Sequence, residues 1–175
     1  MANIKDINYA ILSRLTKNAR TSDRQLAREI GVSQPTITRR RARLEKEGFL
    51  TYKTVPNFKK LGLEIMAFTL VAWKREAHQQ LLDAEDYDSR IQGFFKKHPN
   101  IVFASSGQGV GMTRIAISVH KNYSDYVKFI NSVDETWGTY LDRHDSFIVS
   151  FKSDTILKQL AFENIIEYLH TIDAE

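Results

Sequence analysis

The chain has 175 residues, 42% hydrophobic and 26% charged, which is room for one medium domain or two small ones with packed cores. It contains no cysteine, which excludes disulfides, thiolate zinc sites and cysteine nucleophiles. The net charge of +4 hides an asymmetry: residues 1–60 carry 14 Lys and Arg against 5 Asp and Glu, net +9, while residues 61–175 carry 11 against 16, net −5.

A basic first third suits a polyanion, and an acidic remainder suits protein or small-molecule partners. Met1 to Asp6 has no apolar core of a signal peptide. The longest apolar stretch, Leu61 to Trp73, is interrupted by Glu64 and is too short to cross a bilayer as a helix. The expectation is a cytoplasmic protein without a membrane segment.

In chain order, Ile4, Ile7, Ile11 and Leu15 recur at helical spacing over residues 4–17. Asn18 to Thr21 breaks the pattern. Ser22-Asp23-Arg24-Gln25 has the form of a capping box, in which the Ser hydroxyl accepts from the Gln25 N–H and the Gln25 side chain reaches back. A second helix is predicted from Asp23 to Ile30, with Leu26 and Ile30 inward and Gly31 as the turn. Ser33 is placed to cap a third helix; Pro35 is tolerated in its first turn, and Gly48 ends it. Phe49 to Val55 reads as a strand, followed by a turn at Pro56-Asn57. Three helices and a strand make a winged helix-turn-helix with a small wing.

The third helix carries Arg39, Arg40, Arg41 and Arg43. Winding it at roughly 100° per residue from Ile37 brings Leu44 beside Ile37, toward the other helices. Thr38, Arg39, Ala42, Arg43 and Lys46 fall on the far side. Ser33, Gln34, Pro35 and Thr36 form the N-terminal end, which in a helix-turn-helix leads into the major groove. Gln34 suits adenine and Arg39 suits guanine, each through two parallel hydrogen bonds. Arg40 and Arg41 point sideways, toward phosphates, as do Arg20, Arg24 and Lys53. A run of arginines is also what a solvated helix face looks like, but such faces mix signs, and residues 36–44 contain no acid.

From Leu61 the period changes. Leu63 to Trp73 reads as a strand; Tyr87, Ile91, Phe94, Phe95 and His98 mark a helix; Ile101 to Ser105 is a short strand. Ser106 to Gly111 is a glycine-rich turn, Thr113 to His120 a strand, Tyr123 to Trp137 a helix and Asp142 to Lys152 a strand. The order βαββαβ is that of a ferredoxin-like unit. A final stripe of Ile156, Leu157, Leu160, Ala161, Ile165, Tyr168, Leu169 and Ile172 predicts a terminal amphipathic helix, packed on its own sheet or docked on a second subunit. The expected division is 1–60, 61–153 and 154–175, and the fold class is α+β. His98, His120 and His144 share no metal-ligand spacing. No metal, cofactor or catalytic residue is expected.

A set of short stretches carries a resemblance: Asp6-Ile7, Ile11-Leu12-Ser13-Arg14-Leu15 and Asn18-Ala19-Arg20. Leu26-Ala27, Gly31-Val32-Ser33, Thr36-Ile37, Arg39-Arg40, Leu44-Glu45 and Gly48-Phe49-Leu50 follow, then Leu61-Gly62-Leu63. Over roughly residues 4–74, and by pattern beyond, the chain resembles the Lrp/AsnC (feast/famine) family of transcription regulators. The resemblance implies double-stranded DNA as partner, a homodimer or larger assembly, and a small-molecule effector near the glycine turn at a contact between subunits. Gly107, Gly109, Gly111 and Arg114 are the effector-site positions it suggests, with Arg143 as a further carboxylate partner. This chain departs from the family in four places. Arg41 stands where an aliphatic residue is usual, no acid follows the turn glycine, Lys74 to Ser89 is longer than typical, and the terminal helix after Asp154 is an addition. Two other readings fit the layout: a sirohaem-decarboxylase-like enzyme, which has no use for the arginine cluster, and a low-specificity architectural DNA binder.

Overall fold

The computed structural model describes residues 4–77, 85–153, 156, 158 and 165–172. In chain order the elements are α1 (Ile4–Lys17), α2 (Asp23–Ile30), α3 (Gln34–Lys46), β1 (Ile65–Trp73), α4 (Tyr87–Lys97), β2 (Ile101–Gly109), β3 (Met112–His120), α5 (Tyr123–Trp137), β4 (Leu141–Ser150) and α6 (Ile165–Ile172). They fall into two compact units, Met1–Val55 with Leu157–Glu175, and Pro56–Ile156.

The first unit is held by one apolar cluster. Ile7, Ile11, Leu12 and Leu15 of α1 meet Leu26 and Ala27 of α2 and Ile37 and Leu44 of α3. Ile11, Leu26 and Ile37 are fully enclosed, each contributing about 1.5–3 kcal/mol by leaving water. Gly31 takes the left-handed conformation (φ 78°, ψ 33°) that ends α2, and its N–H bonds the Ala27 carbonyl. The terminal helix packs on α1 in this unit, with Ile166 against the cluster. The predicted stripe positions Leu157, Leu160 and Ala161 lie outside the described residues.

Three local expectations are corrected. Ser22 does accept from the Gln25 N–H, at 3.2 Å. The Gln25 side chain, however, donates forward to Glu29 at 2.9 Å instead of reaching back, because a carboxylate one turn on is the stronger acceptor. Ser33 occupies the cap position of α3, but its hydroxyl bonds the Thr36 hydroxyl at 2.8 Å and not a backbone N–H. Phe49 to Val55 is not a strand. Residues 50–57 hold no regular structure, since a strand needs a neighbour for its backbone groups and none of the described residues supplies one.

The second unit is a four-stranded antiparallel sheet in the order β2-β3-β1-β4. With α4 and α5 in the connections, this is the βαββαβ arrangement. Phe129, Val133 and Trp137 of α5 pack with Leu141 over one face, against Val71 and Trp73. The other face is apolar: Met66, Phe68 and Leu70 stand opposite Val119, Ile117 and Ile115, and Met66 and Phe68 opposite Val149 and Phe147. Phe147 is 73% exposed there. β2 runs on to Gly109, so the six-residue turn expected at 106–111 shrinks to Val110-Gly111 between the paired residues Gly109 and Met112. Both turn residues have positive φ (46° and 75°), the primed two-residue hairpin whose twist matches the strands it joins.

Candidate nucleic-acid interface

The α2–turn–α3 unit presents one basic face. Gln34, Pro35, Thr38, Arg39, Ala42, Arg43 and Lys46 are exposed on α3, Thr36 is half-buried, and Arg20 and Arg24 are exposed nearby. Arg39 extends into solvent. Arg43 pairs with Glu47 one turn on, at 2.7 Å, but stays 74% exposed. A rim pair of this kind is worth little and opens readily for a phosphate.

Arg40 and Arg41 behave differently. Arg40 donates to the Asn8 side chain of α1 at 2.9 Å. Arg41 donates to Asp23 at 3.0 Å, to the Thr21 carbonyl at 3.2 Å and to Tyr52 at 2.8 Å, and pairs with Glu45 at 3.2 Å. Its guanidinium lies over the Tyr52 ring, 5.2 Å from the centroid. Burial opposes its charge, but the hydrogen bonds it donates to Asp23, Tyr52 and Glu45 outweigh that, and its pKa is raised above the ordinary arginine value. Burial and the bond to Glu45 likewise push the Tyr52 hydroxyl up. Thr38 gives its hydroxyl to the other oxygen of Asp23 at 2.7 Å. Against the sideways phosphate role expected of Arg40 and Arg41, Arg40 donates within the unit to Asn8, and Arg41 to Thr21, Asp23, Glu45 and Tyr52, contacts with which a phosphate would compete.

In the sheet unit, Gly107 and Gly109 lie within β2, and a Cβ at either would meet nothing within 4 Å. Of the three hairpin glycines, Gly111 alone, at φ 75°, needs to be glycine for its backbone. Arg143 donates to the Val110 carbonyl at 3.3 Å. A cleft of about 200 Å³ beside the hairpin is lined by Leu70, Gly107, Gly109, Met112 and Arg114. Arg114 donates to Ser106 at 2.7 Å and to Tyr87 at 3.1 Å and stacks on Trp73 at 5.4 Å. His98, His120 and His144 lie apart: His98 meets Ser132, His120 meets Ser118 and Asn100, and His144 meets Asp134. Ser118 and His120, 2.8 Å apart, are both enclosed, a core network beyond the reach of a substrate.

A family model for winged helix-turn-helix DNA-binding domains matches residues 4–51. An HTH-type transcriptional regulator of Pyrococcus abyssi is 30% identical over 100 residues, 56% of this chain and 67% of that protein. Among solved structures, Bacillus subtilis LrpC superposes with a TM-score of 0.67 at 26% identity, covering 90% of this chain and all of that one. The chain belongs to the Lrp/AsnC family. A Neisseria meningitidis transcriptional regulator solved with L-Met shares the fold, with a TM-score of 0.72 at 16% identity over 94% of this chain and 97% of that one. Against two other Pyrococcus regulators the chain spans only 62% and 59% of their length.

Within this Lrp/AsnC chain, sequence reasoning missed Asp23, Asn8 and Tyr52. They hold α3 through Thr38, Arg40 and Arg41, and only Asp23, at Thr38, reaches the exposed face. The available signal was an acid at the first position of α2, where it also suits the helix dipole.

Proposed function

We propose that the protein is a sequence-specific, DNA-binding transcriptional regulator that acts as a homodimer or larger assembly and responds to a small metabolite. The observation that carries the DNA reading is the basic face of α3: Arg39, Arg43 and Lys46 exposed beside Gln34, with no acid between residues 36 and 44. Gln34 and Arg39 read base edges, while Arg43, Arg20 and Arg24 meet phosphates. Ser33, Pro35, Thr36 and Thr38 shape the leading end of the helix, and Arg40 and Arg41 hold it.

The dimer reading is supported by the apolar open face of the sheet, since a patch of this kind marks an interface and a second copy offers the matching surface. Two recognition helices then meet half-sites about one helical turn apart. The sensing reading is supported by Gly107 and Gly109, whose lack of a side chain the single chain does not need; it leaves room for a ligand or a second copy at the hairpin. The L-Met complex of the Neisseria relative fits this.

Fluorescence anisotropy with DNA from the protein's own upstream region and a scrambled duplex, across a salt series, tests the proposal. A preference of about a hundredfold or more with a steep salt slope is expected. Equal binding to both duplexes would indicate the architectural role. No binding at low salt would overturn the reading, and added sirohaem would then be tested by absorbance.

A further inference from the structure

The helix α4 covers the sheet without burying any of its side chains, although Ile91, Phe94 and Tyr87 belong to its inner face and border the core cluster. The neighbouring α5 buries four. Beneath α4 lies a cavity of about 270 Å³ between the helices and the sheet. It is partly open to solvent, and a concave, mostly apolar opening with a few convergent polar groups is the usual form of a small-molecule site. Its walls are aromatic and aliphatic, led by Trp73, Phe94, Trp137 and Val133. One end is polar. There the Arg114 guanidinium, the Tyr87 hydroxyl and the Ser106 hydroxyl converge. No acidic side chain lines the cavity among the described residues.

We infer that this cavity binds a monocarboxylate with an apolar body, an aryl-alkyl or medium-chain acid. An arginine flanked by two hydroxyls supplies the planar, charge-assisted donors that a carboxylate takes. The apolar walls take the tail. An α-ammonium group would find no counter-charge there, so a free amino acid is disfavoured against the simple acid of the same side chain. The cavity is walled by the inner face of α4 and meets the hairpin cleft, proposed above as the place where a metabolite acts, at Arg114 and Ile115. Its regulatory meaning rests on that sensing role, whereas the binding does not.

The chain's two tryptophans, Trp73 and Trp137, both line the cavity, so their emission reports its occupancy directly. The full chain would be titrated, without DNA, with 4-phenylbutyrate, 4-phenylbutylamine and L-phenylalanine. The expected result is a saturable emission change and a raised Tm with 4-phenylbutyrate and neither with the other two. Arg114→Gln should weaken binding by about tenfold or more. Ala116→Leu, which adds volume into the cavity from β3, should abolish it while the Tm without ligand holds or rises. No saturable change with 4-phenylbutyrate, equal binding of the amine, or binding undiminished in Ala116→Leu would each overturn the inference. Since no DNA is present, such a failure would leave the DNA-binding reading untouched.

Discussion

Arg39 and Arg41 sit two positions apart on one helix and have opposite fates. Arg39 is exposed on the open face, and Arg41 is held by Asp23, Glu45 and Tyr52. Arg39→Ala is expected to relax specificity at one base position at a cost of about 1–3 kcal/mol, with the Tm unchanged, as read by anisotropy against single-base operator variants. Arg41→Ala should instead lower the stability of the helical unit by about 1–3 kcal/mol, because it strands the acceptors that converge on it. The slope of affinity against salt should stay near that of the wild type, since no phosphate contact is lost. A slope flattened by about one unit in Arg41→Ala would establish a phosphate role instead. Val110 presents a different residue-scale tension. It is β-branched, 77% exposed and held at φ 46°, a conformation that costs such a residue about 1–3 kcal/mol. Val110→Asn should raise the Tm if the hairpin is otherwise undisturbed.

At the scale of elements, α2 is tied to α3 by Asp23, whose two carboxylate oxygens accept from Thr38 and Arg41 on successive turns of α3. Asp23→Ala removes no basic group from the exposed face. It should nevertheless weaken DNA binding at all sequences, since the recognition helix loses its brace. Anisotropy together with thermal melting separates this from simple unfolding. In the sheet unit, β3 delivers Ser118 and His120 into the core against α5, where His120 touches the rings of Tyr126 and Phe129. Burial holds His120 below the usual histidine range, with Asp125 opposing, and burial followed by Lys97 does the same to His98. In the unfolded chain each binds its proton near pH 6.5. The unfolded state thus takes up more protons as pH falls below about 6.5, and stability drops until the lowered folded pKa is reached. Melting curves between about pH 8 and 5 should show this loss, and His120→Gln should reduce it.

For the molecule as a whole, charge and apolar surface are divided between the units. The basic helical unit meets a polyanion, and the sheet unit offers an apolar face that is costly to leave in water. A second copy on that face would place two recognition helices under one symmetry operator, so a change at the sheet can alter their spacing. Phe147→Asp, on the open face, should shift the assembly toward monomer in analytical ultracentrifugation and weaken operator binding far more than half-site binding. A variant that stays fully assembled would count against that face as the interface.

Local periodicity carried much of this protein in the sequence alone. Residues four and seven apart on a helix share a face whatever the rest of the chain does. The bounds of α1 to α3, the burial of Ile37 and Leu44, the exposure of Arg39 and Arg43 and the βαββαβ order were therefore all legible. What the sequence left open depends on residues far apart in the chain. Arg40 finds Asn8 across 32 positions and Arg41 finds Asp23 across 18. No period encodes such pairs; only the packing of α1 and α2 against α3 brings these acceptors within reach. The missing strand at 49–55, the two-residue hairpin and the cavity under α4 have the same origin. Each depends on which backbone or side chain stands opposite, and that is decided when the chain closes on itself.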